Sequence, residues 1–245
     1  MTLTSLSSEH DPMGAALVDY HRNGRAKRLR VFSSLFDEDE LPVATLFRSV
    51  DAMPVIERKA LELCGSTVLD VGGGSGCHAL ALQSLGKAVT SIDISPGAVE
   101  VMKARGVRDA RLCSLFDERL TDSFDTVLML MNGSGIIGRL EYLPSFFRCM
   151  DRLLRPGGRI LMDSSDLRYL FEEEDGSMLV DLAGDYYGEV DFRMQYGSVM
   201  GASFDWLYID FQTLSYYATA CGYRARLLHE GKHYDYLAEL TKETI

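Results

Sequence analysis

The segment Val68-Leu69-Asp70-Val71-Gly72-Gly73-Gly74-Ser75-Gly76 constrains this chain more than any other. An apolar run of strand type enters a cluster of glycines and leaves it into a segment that suits a helix. A turn without Cβ atoms lets its backbone approach a ligand closely. The amides that open the following helix can hold an anionic group, a carboxylate as readily as a phosphate. Asp93 ends the next predicted strand, 23 positions after Asp70, where an acid can accept hydrogen bonds from ribose hydroxyls. Glycine clusters also serve tight strand–helix packing, but that role leaves the second acid unexplained.

Two nucleoside cofactors fit this pattern. Gly74-Ser75-Gly76-Cys77-His78-Ala79 matches the dinucleotide pattern G-x-G-x-x-A, with Asp93 following Gly74 by 19 residues. Against a dinucleotide, Asp70 would bring a further negative charge to a pyrophosphate; it suits a ligand carrying an ammonium or sulfonium near the turn.

Around the turn the chain alternates strand and helix, the pattern of a layered parallel sheet. Strands are predicted at 67–71, 88–94, 110–113, 125–131 and 159–163. Ser95 caps a helix with Pro96 at its first position and Gly106 at its end. Residues 143–154 form a helix with Phe146, Met150, Leu153 and Leu154 on one face. Ahead of this core, a short helix is expected at 10–23, a strand at 27–33 and an acidic loop at 37–42. Residues 43–63 read as mostly helical with a break near Pro54. Behind it, residues 189–209 read as two strands around a 197–201 connection. Asp210 caps a helix closed by Gly222, and residues 223–229 and 234–240 form an antiparallel edge pair. The expectation is one domain over 1–245. It comprises a lead-in or cap at 1–60, a cofactor-binding half at 61–163, a substrate-cap insertion at 164–209, and a C-terminal helix and strand pair at 210–245.

A chain of 245 residues with 47% hydrophobic content can bury a sizeable core and is not disordered. No run reaches the ~18 apolar residues of a membrane span, and residues 1–12 lack the basic-then-apolar order of a secretory signal. Cys64, Cys77, Cys113, Cys149 and Cys221 contain no C-x-x-C pair, so a reducing, cytoplasmic setting is expected. The net charge of −11 speaks against DNA or RNA as partner. Ten acids and a single base, Arg168, lie between residues 163 and 191. That stretch is either a solvated face or a field that favours cationic small molecules. Ser164-Ser165 lacks the G-x-S-x-G context of a hydrolase. His229 and His233 flank Gly231 with no evident third ligand, so no metal site is expected.

From about residue 43 to the C-terminus the chain resembles the class I S-adenosylmethionine-dependent methyltransferases. The resemblance is carried by the 68–76 segment, then Ser91-Ile92-Asp93-Ile94-Ser95, Phe124-Asp125-Thr126-Val127 and Leu154-Arg155-Pro156-Gly157-Gly158, in that order. It implies an α/β fold, a Rossmann-like, doubly wound and mostly parallel seven-stranded sheet with an antiparallel last strand. The lead-in and a β-rich insertion after the fifth strand would be additions to it. By the same resemblance, Asp70 with Gly72, Gly73, Gly74 and Gly76 would hold the methionine portion of S-adenosylmethionine. Asp93 would take the ribose hydroxyls, Ile94 would pack on adenine with Ser114 and Leu115 beside it, and Asn132 would lie near the transferred methyl group. Relatives often carry an aspartate near Ser114; Asp117 is the substitute at hand. Asn132-Gly133 also reads as a simple turn.

Methyl transfer from a sulfonium needs alignment and electrostatics more than a catalytic triad or a metal, and leaves S-adenosylhomocysteine. The acceptor is expected to be a small molecule rather than RNA or protein, cationic or amine-bearing if the acids at 172–175 act on it. Tyr20, Asp166, Tyr186, Tyr187 and Trp206 are substrate-side candidates by type and region, each also readable as packing. His233 is a candidate base. The competing readings are an NAD(P)-dependent oxidoreductase and a cofactor-binding regulatory protein without catalysis.

Overall fold

The computed structural model describes residues 5–172 and 185–243. Its lead-in contains α1 (Pro12–Asn23), β1 (Leu29–Phe32), β2 (Asp39–Leu41) and α2 (Val55–Leu63). The alternating region follows with β3 (Thr67–Val71), α3 (Cys77–Ser84), β4 (Ala88–Asp93), α4 (Pro96–Arg105), β5 (Asp109–Leu112), β6 (Phe124–Met129), α5 (Leu143–Leu153) and β7 (Leu154–Ser165). The remainder holds β8 (Glu189–Tyr196), β9 (Val199–Met200), β10 (Phe204–Leu207), α6 (Phe211–Ala220), β11 (Tyr223–Glu230) and β12 (Asp235–Lys242).

Seven strands form one sheet in the order β11-β12-β7-β6-β3-β4-β5. Neighbours from β7 to β5 pair in parallel, and β12 alone runs against the others. Both faces are covered because side chains alternate along each strand. Val68, Leu128, Leu161 and Leu237 point to a core shared with α2, α3 and α4. Leu69, Val127, Met129, Ile160 and Met162 point to the opposite core, shared with α5 and α6. Strand order reverses between β4 and β6 on either side of β3, the switch point at whose carboxyl ends ligands bind in open α/β sheets.

The lead-in and the insertion meet in a second, antiparallel sheet of order β10-β8-β1-β2, with β9 on β8. Leu29 lies opposite Tyr196 and Val31 opposite Met194. This sheet rests on α1, and Ala16, Leu17, Leu29 and Tyr196 join Ala98 and Val101 of α4 in a third core. Asp11 fastens that contact. Its Oδ1 accepts from Gly14 N–H at 2.8 Å, and its Oδ2 accepts from Ser95 Oγ at 2.6 Å and Gly97 N–H at 3.1 Å. The helices can close because Gly14 and Gly97 face each other; a Cβ on Gly97 would stand 2.6 Å from the Gly14 backbone.

The expectations change in several places. Residues 189–209 hold three strands rather than two, because Val199–Met200 inside the expected 197–201 connection pairs back on β8. The strand expected over 125–131 ends at Met129, because Met131 and Asn132 turn into the left-handed region. The acidic loop at 37–42 contains β2, because Arg28 and Arg30 of the facing chain segment neutralise Glu40 and Glu38. The helix expected over 43–63 is α-helical only from Val55; Val43–Phe47 and Val50–Ala52 are single 3-10 turns, separated by extended Arg48. Residues 155–158 bulge out of one long strand rather than preceding it: Leu154 pairs with Phe124, and pairing resumes at Arg159 with Thr126. No helix among the described residues is long and apolar enough to cross a membrane.

Candidate functional site

Strand β3 delivers Asp70 to the sheet's carboxyl edge, where the 72–76 turn begins. Gly72, Gly74 and Gly76 have φ of 73°, 55° and 83°, the left-handed region that L side chains rarely adopt. Gly73 is required for a different reason: a Cβ there would lie 2.1 Å from Ser91 Oγ and 2.7 Å from Met102 Sδ. At Gly74 a Cβ would meet nothing nearer than Gly72 O at 3.9 Å, so the space over the turn is open. Asp70 is buried, with Oδ2 accepting from Ser91 Oγ at 2.6 Å. Burial drives its carboxyl above the ordinary range, against the lowering influence of nearby His78 and of Ser91. A partly desolvated carboxylate beside an open, side-chain-free turn suits a cationic group.

Asp93 ends β4 and braces the turn. Its Oδ2 accepts from Gly74 N–H at 2.9 Å and its Oδ1 from Ser95 N–H at 2.9 Å. Burial lifts its pKa to about 6; the two amides pull it down, while Asp11 and Asp70 push it up. Each oxygen retains acceptor capacity beyond one amide. Ile94 is half-buried next to it, and its carbonyl accepts from Leu6 N–H at 2.8 Å. After β5, Ser114 and Leu115 are buried; Ser114 Oγ accepts from Phe116 N–H at 3.2 Å, and Leu115 belongs to a hydrophobic core. The Asp117 carboxylate is engaged by Arg119, which holds it down to about 2. These groups fit a nucleoside carrying an amino-acid or sulfonium tail.

The loop after β6 is strained. Met131 and Asn132 are consecutive non-glycine residues at φ of 68° and 55°, a conformation that costs about 1–3 kcal/mol per residue. Asp163, at the end of β7, holds it: Oδ2 accepts from Met131 N–H at 3.1 Å and Oδ1 from Gly133 N–H at 2.9 Å. Burial lifts the Asp163 carboxyl to about 6 despite these bonds. Asn132 Oδ1 accepts from Ser165 Oγ at 2.8 Å, and Asn132 also starts the 3-10 turn Gly133–Ile137.

Of the substrate-side candidates, Trp206 reaches this loop. Its ring closes over Gly135, where a Cβ would stand 1.8 Å from Cε2. Asp166, Tyr186 and Tyr187 form a network of their own. Tyr187 OH donates to Asp166 at 2.8 Å, Tyr186 OH to Asp210 at 2.7 Å, and Arg168 Nε to Asp166 at 2.6 Å. Burial raises both phenols well above their ordinary value. Tyr20 packs against Phe47 with ring centroids 4.6 Å apart. His233 is exposed; its backbone N–H donates to Asp235 at 3.2 Å. The acidic group at 172–175 lies outside the described residues except for Glu172, which is exposed.

One buried cluster carried no signal in the sequence. Glu57 of α2 accepts from Arg48 and shares a 2.9 Å hydrogen bond with His78 Nε2, and all three side chains are under 10% exposed. Burial would raise Glu57, but His78 and Arg48 outweigh it and keep the carboxylate below its ordinary value. His78 lies in the first turn of α3, directly behind the glycine turn, so the cluster ties the lead-in to the turn's rear. Ser75 Oγ adds a bond to Leu46 O. Separately, a cleft of about 440 Å³ lies where the strands begin, lined by Thr67, Ala88, Asp109 and Phe124, at the edge opposite the glycine turn.

Residues 69–162 match the family model of a methyltransferase domain. The chain is similar to a solved S-adenosylmethionine-dependent methyltransferase from Bacteroides fragilis, in complex with S-adenosyl-L-homocysteine. The two share 64% identity, with 98% of each chain covered and a TM-score of 0.94. It is 34% identical over 114 residues to a ubiquinone biosynthesis O-methyltransferase of Xanthomonas oryzae, covering 42% of this chain and 45% of that protein. It is 36% identical over 113 residues to a demethylmenaquinone methyltransferase of Tropheryma whipplei, covering 40% and 41%. The match thus spans less than half the length of these two relatives. The chain belongs to the S-adenosylmethionine-dependent methyltransferases. The dinucleotide alternative gives way to this family.

Proposed function

We propose that this chain transfers the methyl group of S-adenosylmethionine to a small-molecule acceptor. One observation carries the reading: Asp70, the open 72–76 turn and the Asp93 carboxylate share the carboxyl edge of β3 and β4. In this reading the ribose hydroxyls donate to Asp93, whose orientation is already fixed by Gly74 and Ser95. Asp70 faces the positive charge of the amino-acid portion, and Gly72, Gly73, Gly74 and Gly76 give it room. Ile94, Ser114 and Leu115 flank adenine, and Asn132 borders the methyl group. The cofactor supplies an activated methyl carbon when bound. The chain's residues orient the acceptor and exclude water.

The names of the two quinone-pathway relatives support a small-molecule acceptor, and the net charge of −11 speaks against nucleic acid. Five free cysteines are consistent with a reducing, cytoplasmic setting. The test is incubation with methyl-labelled S-adenosylmethionine and a cell extract separated into small-molecule, protein and RNA fractions. Label in the small-molecule fraction is expected; label confined to protein or RNA overturns the acceptor class.

A further inference from the structure

Resting on the methyl-transfer reading above, we propose that the acceptor is a neutral molecule with a planar conjugated ring, received on an aromatic face formed by Phe36, Phe192, Phe204 and Trp206. Strands β8 and β10 pair antiparallel with Phe204 opposite Phe192, Trp206 opposite Val190 and Asp205 opposite Asp191. Side chains alternate along a strand, so Phe192, Phe204 and Trp206 share one face while Asp191 and Asp205 share the other. Trp206 fixes which way the aromatic face looks: its ring lies on Gly135, in the loop that Asn132 opens.

The rings form a continuous run. Phe36 stacks on Phe192 at 6.3 Å and 7°, Phe192 meets Phe204 at 6.2 Å, and Phe204 meets Trp206 at 6.1 Å. Such spacings lie at the open end of the range for aromatic pairs. All four rings are half-buried, and none belongs to the three hydrophobic cores of the described residues. Packing as core therefore does not account for them. A contiguous, partly exposed aromatic surface beside a reaction edge is a ligand surface.

The charge distribution separates a neutral acceptor from a cationic one. Asp205, Asp185 and Glu189 converge on Arg139. Asp191 accepts from the backbone N–H and the hydroxyl of Ser34, and Asp166 is engaged by Arg168 and Tyr187. Asp166, Asp185, Glu189, Asp191 and Asp205 thus have partners within the protein, and the carboxylates of β8 and β10 alternate away from the rings.

The test uses the full chain saturated with S-adenosylhomocysteine, whose own affinity is measured by calorimetry in the same samples. The probes are 2,3-dihydroxynaphthalene and cyclohexylmethylamine, read by calorimetry and by emission of Trp206, the single tryptophan of the chain. The naphthalene should bind at least about tenfold more tightly than the amine and shift the emission. Phe192→Leu, Phe204→Leu and Phe36→Leu should each weaken it by about 3- to 10-fold with S-adenosylhomocysteine affinity unchanged, while Asp191→Asn should have no effect. Phe36 lies in a loop, so its variant keeps the test valid if a strand variant misfolds. The proposal is overturned if the amine binds as tightly, if neither probe binds, or if the ring variants change nothing. S-adenosylhomocysteine binding retained in any of those cases leaves the methyl-transfer reading standing, and its loss removes that reading as well.

Discussion

Asp93 is the residue on which the proposed cofactor site turns. Its carboxylate is oriented by two backbone amides before any ligand arrives, so ribose hydroxyls would meet a prearranged acceptor. Charge-assisted hydrogen bonds are worth about 1.5–3 kcal/mol, so Asp93→Asn should weaken S-adenosylhomocysteine binding by about 10- to 100-fold in titration calorimetry, with the fold retained. The pKa of about 6 gives this a pH signature. The acid form cannot accept as an ion, so affinity should fall below pH 6, with a limiting slope of about tenfold per pH unit. The sign for stability is opposite. A carboxyl raised in the folded state contributes stability below its ordinary value of 3.8 and loses that contribution as pH rises through about 6. The thermal shift produced by S-adenosylhomocysteine should therefore be larger at pH 7.5 than at pH 5. An equal shift at both pH values would remove Asp93 from the ligand-binding set.

Among the elements, the loop after β6 depends most on a distant group. Met131 and Asn132 keep left-handed backbones because Asp163 receives the amides on either side of Asn132. Asp163→Asn offers one acceptor oxygen for two donors and turns an NH2 group toward the other. We expect a loss of about 1–3 kcal/mol in denaturant unfolding and a larger fall in kcat than in S-adenosylhomocysteine affinity. A variant with unchanged kcat would show that the loop's geometry does not matter for transfer. Sequence reasoning reads elements well where the signal is local. Thr67–Val71 and the Ser95–Pro96–Gly106 cap set of α4 follow from residues within a few positions of one another. The pairing of Leu29 with Tyr196 has no local signal, and neither does Asp163 reaching back 30 residues. β2 has no local signal because Glu40, and Glu38 just before it, are neutralised by Arg28 and Arg30 on a facing segment. Of the acids at 163–191, Asp166, Asp185, Glu189 and Asp191 have partners in the structure that composition, which only counts charge, does not record.

At the scale of the whole molecule, two sheets are joined by α1. Asp11 caps that helix and binds Ser95 and Gly97 at the start of α4, two residues beyond Asp93. The lead-in thereby packs the second sheet against the start of α4, and Arg48–Glu57–His78 anchors the second lead-in segment behind the glycine turn. Asp11→Ala removes a helix cap and two further hydrogen bonds. It should cost about 2–4 kcal/mol, and limited proteolysis should release the first 24 residues or so faster than in the parent chain. Unchanged proteolysis would mean that other contacts hold the lead-in. The central claim, that this edge receives a sulfonium nucleoside, is tested most directly by titrating the purified chain with S-adenosylhomocysteine and, separately, with NAD. Saturable one-to-one binding of the first and none of the second is the predicted result; binding of NAD, or of neither ligand, would contradict it.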